Sequence, residues 1–91
     1  MGIFSKIKEI TKSSHFSMCK IEEGEIAIDL WDLNQTYIID LNNNNIYFDT
    51  VHSDKCDDFK FIQKFLCFLE ENKGDIIKCL KKALLFQQIE E

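Results

Sequence analysis

Apolar and polar residues alternate with a period of two through residues 16–51, and on either side of that stretch the period lengthens to helical spacing. Three turn signals divide the alternating stretch: Glu23-Gly24, Leu33-Asn34 and Asn43-Asn44. Gly and Asn supply the positive φ that two-residue hairpin loops need. Counting outward from each loop then predicts a register. The first hairpin pairs Ile21 with Ile26, Cys19 with Ile28 and Ser17 with Leu30. The second pairs Leu30 with Tyr37, Ile28 with Ile39 and Ile26 with Leu41. The third pairs Leu41 with Ile46, Ile39 with Phe48 and Tyr37 with Thr50. These residues share one face of one sheet and are almost all apolar, whereas a slip of one residue would scramble that face.

Helices flank the predicted sheet. Residues 3–13 place Ile3, Phe4, Ile7 and Ile10 at helical spacing, with Lys6, Lys8, Glu9 and Lys12 opposite. Ser53 or Asp54 can cap a second helix running to about Asn72, with Cys56, Phe59, Ile62, Phe65, Leu66 and Leu69 as its inner stripe. Gly74 suits a left-handed stop, and Asp75 caps a third helix over 76–89 that buries Ile76, Ile77, Leu80, Ala83 and Leu84. The predicted fold is a single two-layer α+β domain spanning 1–91. It is a four-stranded antiparallel meander with one N-terminal and two C-terminal helices, in the order α-ββββ-α-α.

The same register assigns Phe16, Met18, Lys20, Ala27, Asp29, Trp31, Thr36, Ile38, Asp40, Tyr47, Asp49 and Val51 to the reverse face. There Phe16 would pair with Trp31, Asp29 with Ile38, Ile38 with Asp49, and Asp40 with Tyr47. A solvated face would carry Thr, Lys and Glu. A second core face would not carry unpaired carboxylates, whose burial is too costly. Aromatic anchors bordered by charge fit a protein-binding patch instead. The structural alternative is a helix folded over this face, its lysines pairing with the aspartates. Phe61, Phe68, Leu85, Phe86 and Ile89 fall off the predicted inner stripes. They add apolar surface that a homodimer would hide.

Charge sharpens this picture. The 91 residues carry 11 Lys, no Arg and 16 Asp plus Glu, for a net charge of −5. That charge is unevenly spread: +3 over residues 1–21, −9 over 22–58 and +1 over 59–91. An acidic chain lacks the basic stripe that direct nucleic-acid binding needs. No apolar run approaches the roughly 18 residues of a membrane span, and no signal-peptide h-region opens the chain, so a cytoplasmic location is expected. Gly2 invites a myristoylation reading, but Lys6 stands where that motif needs Ser or Thr. One domain of this length has a modest core, burying about 60–65% of the unfolded surface.

Candidate chemistry is sparse. His15-x-x-x-Cys19 and His52-x-x-x-Cys56 together offer a tetrahedral zinc set. Yet four residues along a strand span about 13 Å, too far for ligands of one ion. In a meander the two histidines also lie at the outer strands, so no metal is expected. Cys19 then reads as a core residue, and with no disulfide framework the four cysteines read as reduced, small apolar residues. Nucleophilic catalysis would need a Cys or Ser beside a His, as in Cys56 with His52 or Ser14 with His15. There is no Arg to clamp an anionic substrate and no Gly-rich phosphate loop, so neither an enzyme nor a cofactor is expected.

A Lys-bearing helix (3–13), a meander rich in Asp29, Asp32, Asp40 and Asp49, and two C-terminal helices together resemble the organisation of small phage-encoded anti-CRISPR proteins. An Asn-, Ile- and Lys-rich composition suits an AT-rich bacterium or its phages. The resemblance implies a cytoplasmic viral inhibitor whose carboxylates occupy a phosphate site on a basic partner, a CRISPR effector or nuclease. The contact set expected from the residues is Asp29, Trp31, Ile38, Asp40, Tyr47 and Asp49. A toxin-immunity protein would use the same face against a basic toxin. A dimeric acidic secretion chaperone would instead keep an apolar face for an extended client.

Overall fold

The computed structural model describes residues 2–12, 15–22, 24–53 and 58–80. Helix α1 (Ile3–Thr11) leads into strands β1 (Phe16–Glu22), β2 (Glu25–Leu30), β3 (Gln35–Asp40) and β4 (Asn45–Phe48), followed by helix α2 (Phe59–Glu71). A third helix, α3, occupies residues 73–80. The strands form one antiparallel sheet in the order β1-β2-β3-β4, a meander, and the fold is the expected two-layer α+β arrangement.

The three residues predicted to turn the chain all have positive φ: Gly24 at +83°, Asn34 at 52° and Asn44 at 51°. Two of the loops are longer than two residues. Trp31–Leu33 form a 3-10 turn closed by Asn34, and residues 41–44 form the β3–β4 turn. Ile28 therefore pairs with Tyr37 and Ile26 with Ile39, while Tyr37 pairs with Phe48 and Ile39 with Ile46. Relative to expectation, both registers move by two, which preserves the inner face because side chains alternate with period two.

The first hairpin differs in kind. Glu22 pairs with Glu25 around the expected turn, but a β-bulge between Lys20 and Glu22 shifts the rest of β1 by one residue. Phe16 now pairs with Leu30 and Met18 with Ile28, on the inner face. Ser17 and Cys19 move to the reverse face opposite Asp29 and Ala27. Cys19 is exposed rather than a core residue.

All three helices cover the same side of the sheet. Ile3 and Ile7 of α1, Ile62, Phe65 and Leu69 of α2, and Ile76 of α3 form one core with Ile26, Ile28, Leu30, Tyr37 and Ile39. Each fully buried Ile or Leu favours folding by about 1.5–3 kcal/mol over its exposed state. Phe65 lies at the centre, edge-on to Tyr37 at 4.7 Å and stacked with Phe61 and Phe68 at 5.9 and 5.7 Å. Phe61 and Phe68 are thus core-packed, so they are not part of the surplus expected from the helical pattern. Phe59 leaves the predicted stripe and is exposed, because α2 starts there, with Asp58 accepting from the Phe61 amide as N-cap. Gly74 lies inside α3. The break between the two helices falls at Asn72, whose side-chain amide donates to the Phe68 carbonyl at 2.9 Å. Lys6 donates to Asn72 at 3.4 Å and ties α1 to this corner. Cys56, Asp54, Ala83, Leu84, Leu85, Phe86 and Ile89 lie outside the described residues.

Candidate protein-binding surface

With the helices on one side, the reverse face carries Ser17, Cys19, Ala27, Asp29, Thr36, Ile38, Asp40 and Tyr47. Three of the four pairings expected there are replaced: Asp29 lies opposite Thr36, Asp40 opposite Asn45, and Ile38 opposite Tyr47. The fourth fails because Phe16 faces inward and Trp31 has left the strand. The longer loops and the bulge account for every change. Ile38 is only 3% exposed, so it underlies this surface rather than offering contacts.

The remaining residues of the expected contact set fall into two groups. At one end of the sheet lie Asp29, Trp31 and Asp49. At the other lies Asp40, four positions along β3 from Thr36 and so about 13 Å away. Tyr47, 39% exposed on β4, stands between the two ends.

Local hydrogen bonding explains where the aspartates point. Asp40 closes the β3–β4 turn by accepting from the Asn42 and Asn43 amides at 3.1 and 3.2 Å and from the Asn43 side chain at 2.7 Å. These donors, the Asn43 side chain foremost, hold its carboxyl below the usual range against a smaller opposing effect of burial. Asp49 forms the equivalent turn after β4, accepting from the Val51 and His52 amides at 3.0 and 3.3 Å. His52 Nδ1 donates to Asp49 at 2.7 Å, which is the leading cause of a lowered Asp49 pKa, with those backbone amides adding to it. Tyr47 moves the other way. Partial burial raises its phenol above the ordinary value, and the charges of Glu25, Asp40 and Asp49 raise it further. An uncharged phenol in a negative field is the expected consequence.

The segment after β4 folds back onto β3. The Thr36 amide donates to Ser53 Oγ at 2.8 Å, and Ser53 Oγ donates to the Asp49 carbonyl at 2.5 Å. Thr36 Oγ1 donates to Asp29 at 2.8 Å and lies 3.4 Å from the His52 carbonyl. A cleft of about 130 Å³ opens at this end, lined by Asp29, Trp31, Asn34, Gln35, Thr36 and His52 among others. Trp31 is 60% exposed, and its amide donates to the His15 carbonyl at 3.0 Å. His15 also sits 3.2 Å from Asp32, so each histidine lies against an aspartate. The expected nucleophile candidates, Ser14 and Cys56, lie outside the described residues.

His52, Asn34, Gln35 and Thr36 were not among the expected contacts. One signal was available. In Asp49-Thr50-Val51-His52-Ser53, an aspartate followed by amides two and three residues on is the pattern of an Asx turn. Comparison with known protein families, characterised proteins and solved structures finds no match to this chain.

Proposed function

We propose that this chain is a small acidic protein-binding inhibitor, of the kind anti-CRISPR proteins represent, that blocks a basic nucleic-acid-binding effector. One observation carries the reading: negative charge is concentrated in the strands and turns, while the helices are close to balance. The described helices hold Lys6, Lys8, Lys60, Lys64, Lys73 and Lys78 against Glu9, Glu70, Glu71 and Asp75. The described strands and turns hold Glu22, Glu25, Asp29, Asp32, Asp40 and Asp49 against Lys20 alone. The acidic layer also presents exposed Trp31, Leu33, Tyr47 and Val51. Large aromatic anchors ringed by one sign of charge suit a complementary basic groove, and the field speeds encounter at low salt.

The test is direct titration of purified basic effectors, a CRISPR effector and a nuclease toxin among them, by calorimetry. Binding should weaken steeply between about 50 and about 200 mM salt, as neutralisation of a charged groove requires. Changing Trp31 and Tyr47 together to Ala should leave far-UV circular dichroism unchanged and abolish binding. Unchanged affinity in that double variant sinks the proposal.

A further inference from the structure

The cleft beside Trp31 has a chemistry that specifies an occupant. Asp29 uses one carboxylate oxygen to accept from Thr36 Oγ1, and among the described residues no lysine approaches it. Trp31, 60% exposed, and Asn34 line the same cleft, whereas Gln35 is buried and its side chain accepts from the Tyr37 hydroxyl at 2.7 Å. Asp32 and Asp49 lie just outside, adding negative potential. At about 130 Å³ the hollow is far below the ~300–1,000 Å³ of small-molecule pockets and suits a single inserted side chain. An anion finds no lysine in the lining, and an apolar group would strip water from Asp29 without replacing its hydrogen bonds.

A planar guanidinium satisfies both demands at once. It can stack on the indole while its N–H groups reach the second oxygen of Asp29. Lysine, a compact and strongly hydrated charge, would gain less from the ring. The geometry points to a receptor for an arginine side chain of the protein partner, with Trp31 as platform and Asp29 as counter-charge. This inference rests on the inhibitor reading and specifies the chemistry its partner presents.

Trp31 is the chain's one tryptophan, so its fluorescence reports this cleft directly. The probe is the blocked pentapeptide acetyl-Gly-Gly-Arg-Gly-Gly-amide, compared with the same peptide carrying citrulline, which keeps the shape and loses the charge. The arginine peptide should give a saturable change, and the citrulline peptide should bind about tenfold more weakly, the equivalent of one charge-assisted hydrogen bond. Asp29→Asn retains an oxygen for Thr36 and should weaken the arginine peptide by a similar factor. Amide shifts in a two-dimensional NMR titration should concentrate at Asn34, Gln35 and Thr36. A linear, unsaturable response, equal binding of both peptides, or shifts centred on Asp40 would overturn the receptor. If the peptide fails while a basic effector still binds through Trp31 and Tyr47, the receptor falls and the inhibitor reading stands. If the peptide binds while every basic effector fails, the receptor is supported and the inhibitor reading falls.

Discussion

Replacing Asp49 by Ala removes the acceptor around which the segment after β4 is built. Three donors lose their partner: His52 Nδ1 at 2.7 Å, the Val51 amide at 3.0 Å and the His52 amide at 3.3 Å. A hydrogen bond to an ionised group contributes about 1.5–3 kcal/mol and a neutral one about 0.5–1.5 kcal/mol. The Asp49 side chain is 14% exposed, so the shortest bond counts nearly in full, whereas the His52 side chain is 72% exposed and regains water readily. The net loss is then about 2 kcal/mol at neutral pH. A domain of this size is worth roughly 5–13 kcal/mol in total, so the change is measurable without unfolding the protein. With a urea m-value near 1 kcal/mol/M, the midpoint in far-UV circular dichroism should fall by about 2 M. Asp49→Asn keeps one acceptor oxygen and should lose about half as much. The pH dependence follows from the lowered folded pKa. Stabilisation is complete above the unfolded value of about 3.9 and is lost as pH falls through the lower folded one. Wild type and Asp49→Ala should therefore differ by a constant amount near neutrality and converge on acidification below about pH 3.9. An Asp49→Ala protein within about 0.5 kcal/mol of wild type at neutral pH would refute the structural role.

Three further outcomes are expected. Phe65→Ala, at the centre of the aromatic stack, should cost about 3–5 kcal/mol, and a melting temperature within about 5 °C of wild type would contradict its placement. Ultraviolet titration should find Tyr47 ionising above the ordinary tyrosine value, and Asp40→Asn should bring it back toward that value; a Tyr47 that titrates normally contradicts the negative field. Cys19 and Cys67 should react with a maleimide in the native protein ahead of Cys79, read site by site by mass spectrometry; a slow Cys19 would place β1 in the register without the bulge.

How much of this was legible in the residues depends on which physical rule was at work. Gly24, Asn34 and Asn44 were identifiable because few other residues tolerate positive φ. Loop length was not, since Trp31 and Leu41 look like strand residues yet sit in turns. The error was harmless to the fold because a shift of two keeps each side chain on its face. The bulge in β1 was not harmless, and there a signal existed. Phe16 and Met18 are more apolar than Ser17 and Cys19, so burial favours the inner face for the former pair, and one extra residue at the turn allows it. In α2, period 3.6 found Ile62, Phe65 and Leu69 but could not show that the described helix begins only at Phe59, leaving that ring exposed.

The candidate site was legible in composition and not in arrangement. Asp29, Asp40 and Asp49 were singled out as contacts because each sits among aromatics in an alternating pattern. That pattern is blind to the hydrogen bonds an aspartate makes with its own backbone. Asp40 and Asp49 spend their carboxylates on turns, which fixes their direction and removes much of their freedom to meet a partner. Turn bonding does not remove their charge, however. The Asn43 amide and the backbone N–H groups are neutral donors, and by lowering the pKa of Asp40 they keep it ionised to more acidic pH. An aspartate can thus shape a loop and still contribute to the field that draws a basic partner in. On the proposed reading, direct contact would fall to groups that retain bonding capacity among the described residues. Those are the Trp31 indole, the second oxygen of Asp29 and the Tyr47 ring, and two of the three meet at a single cleft. On the proposed reading the acidic layer divides by role, with Asp40 and Asp49 holding loops and setting potential and Asp29 and Trp31 offered to the partner.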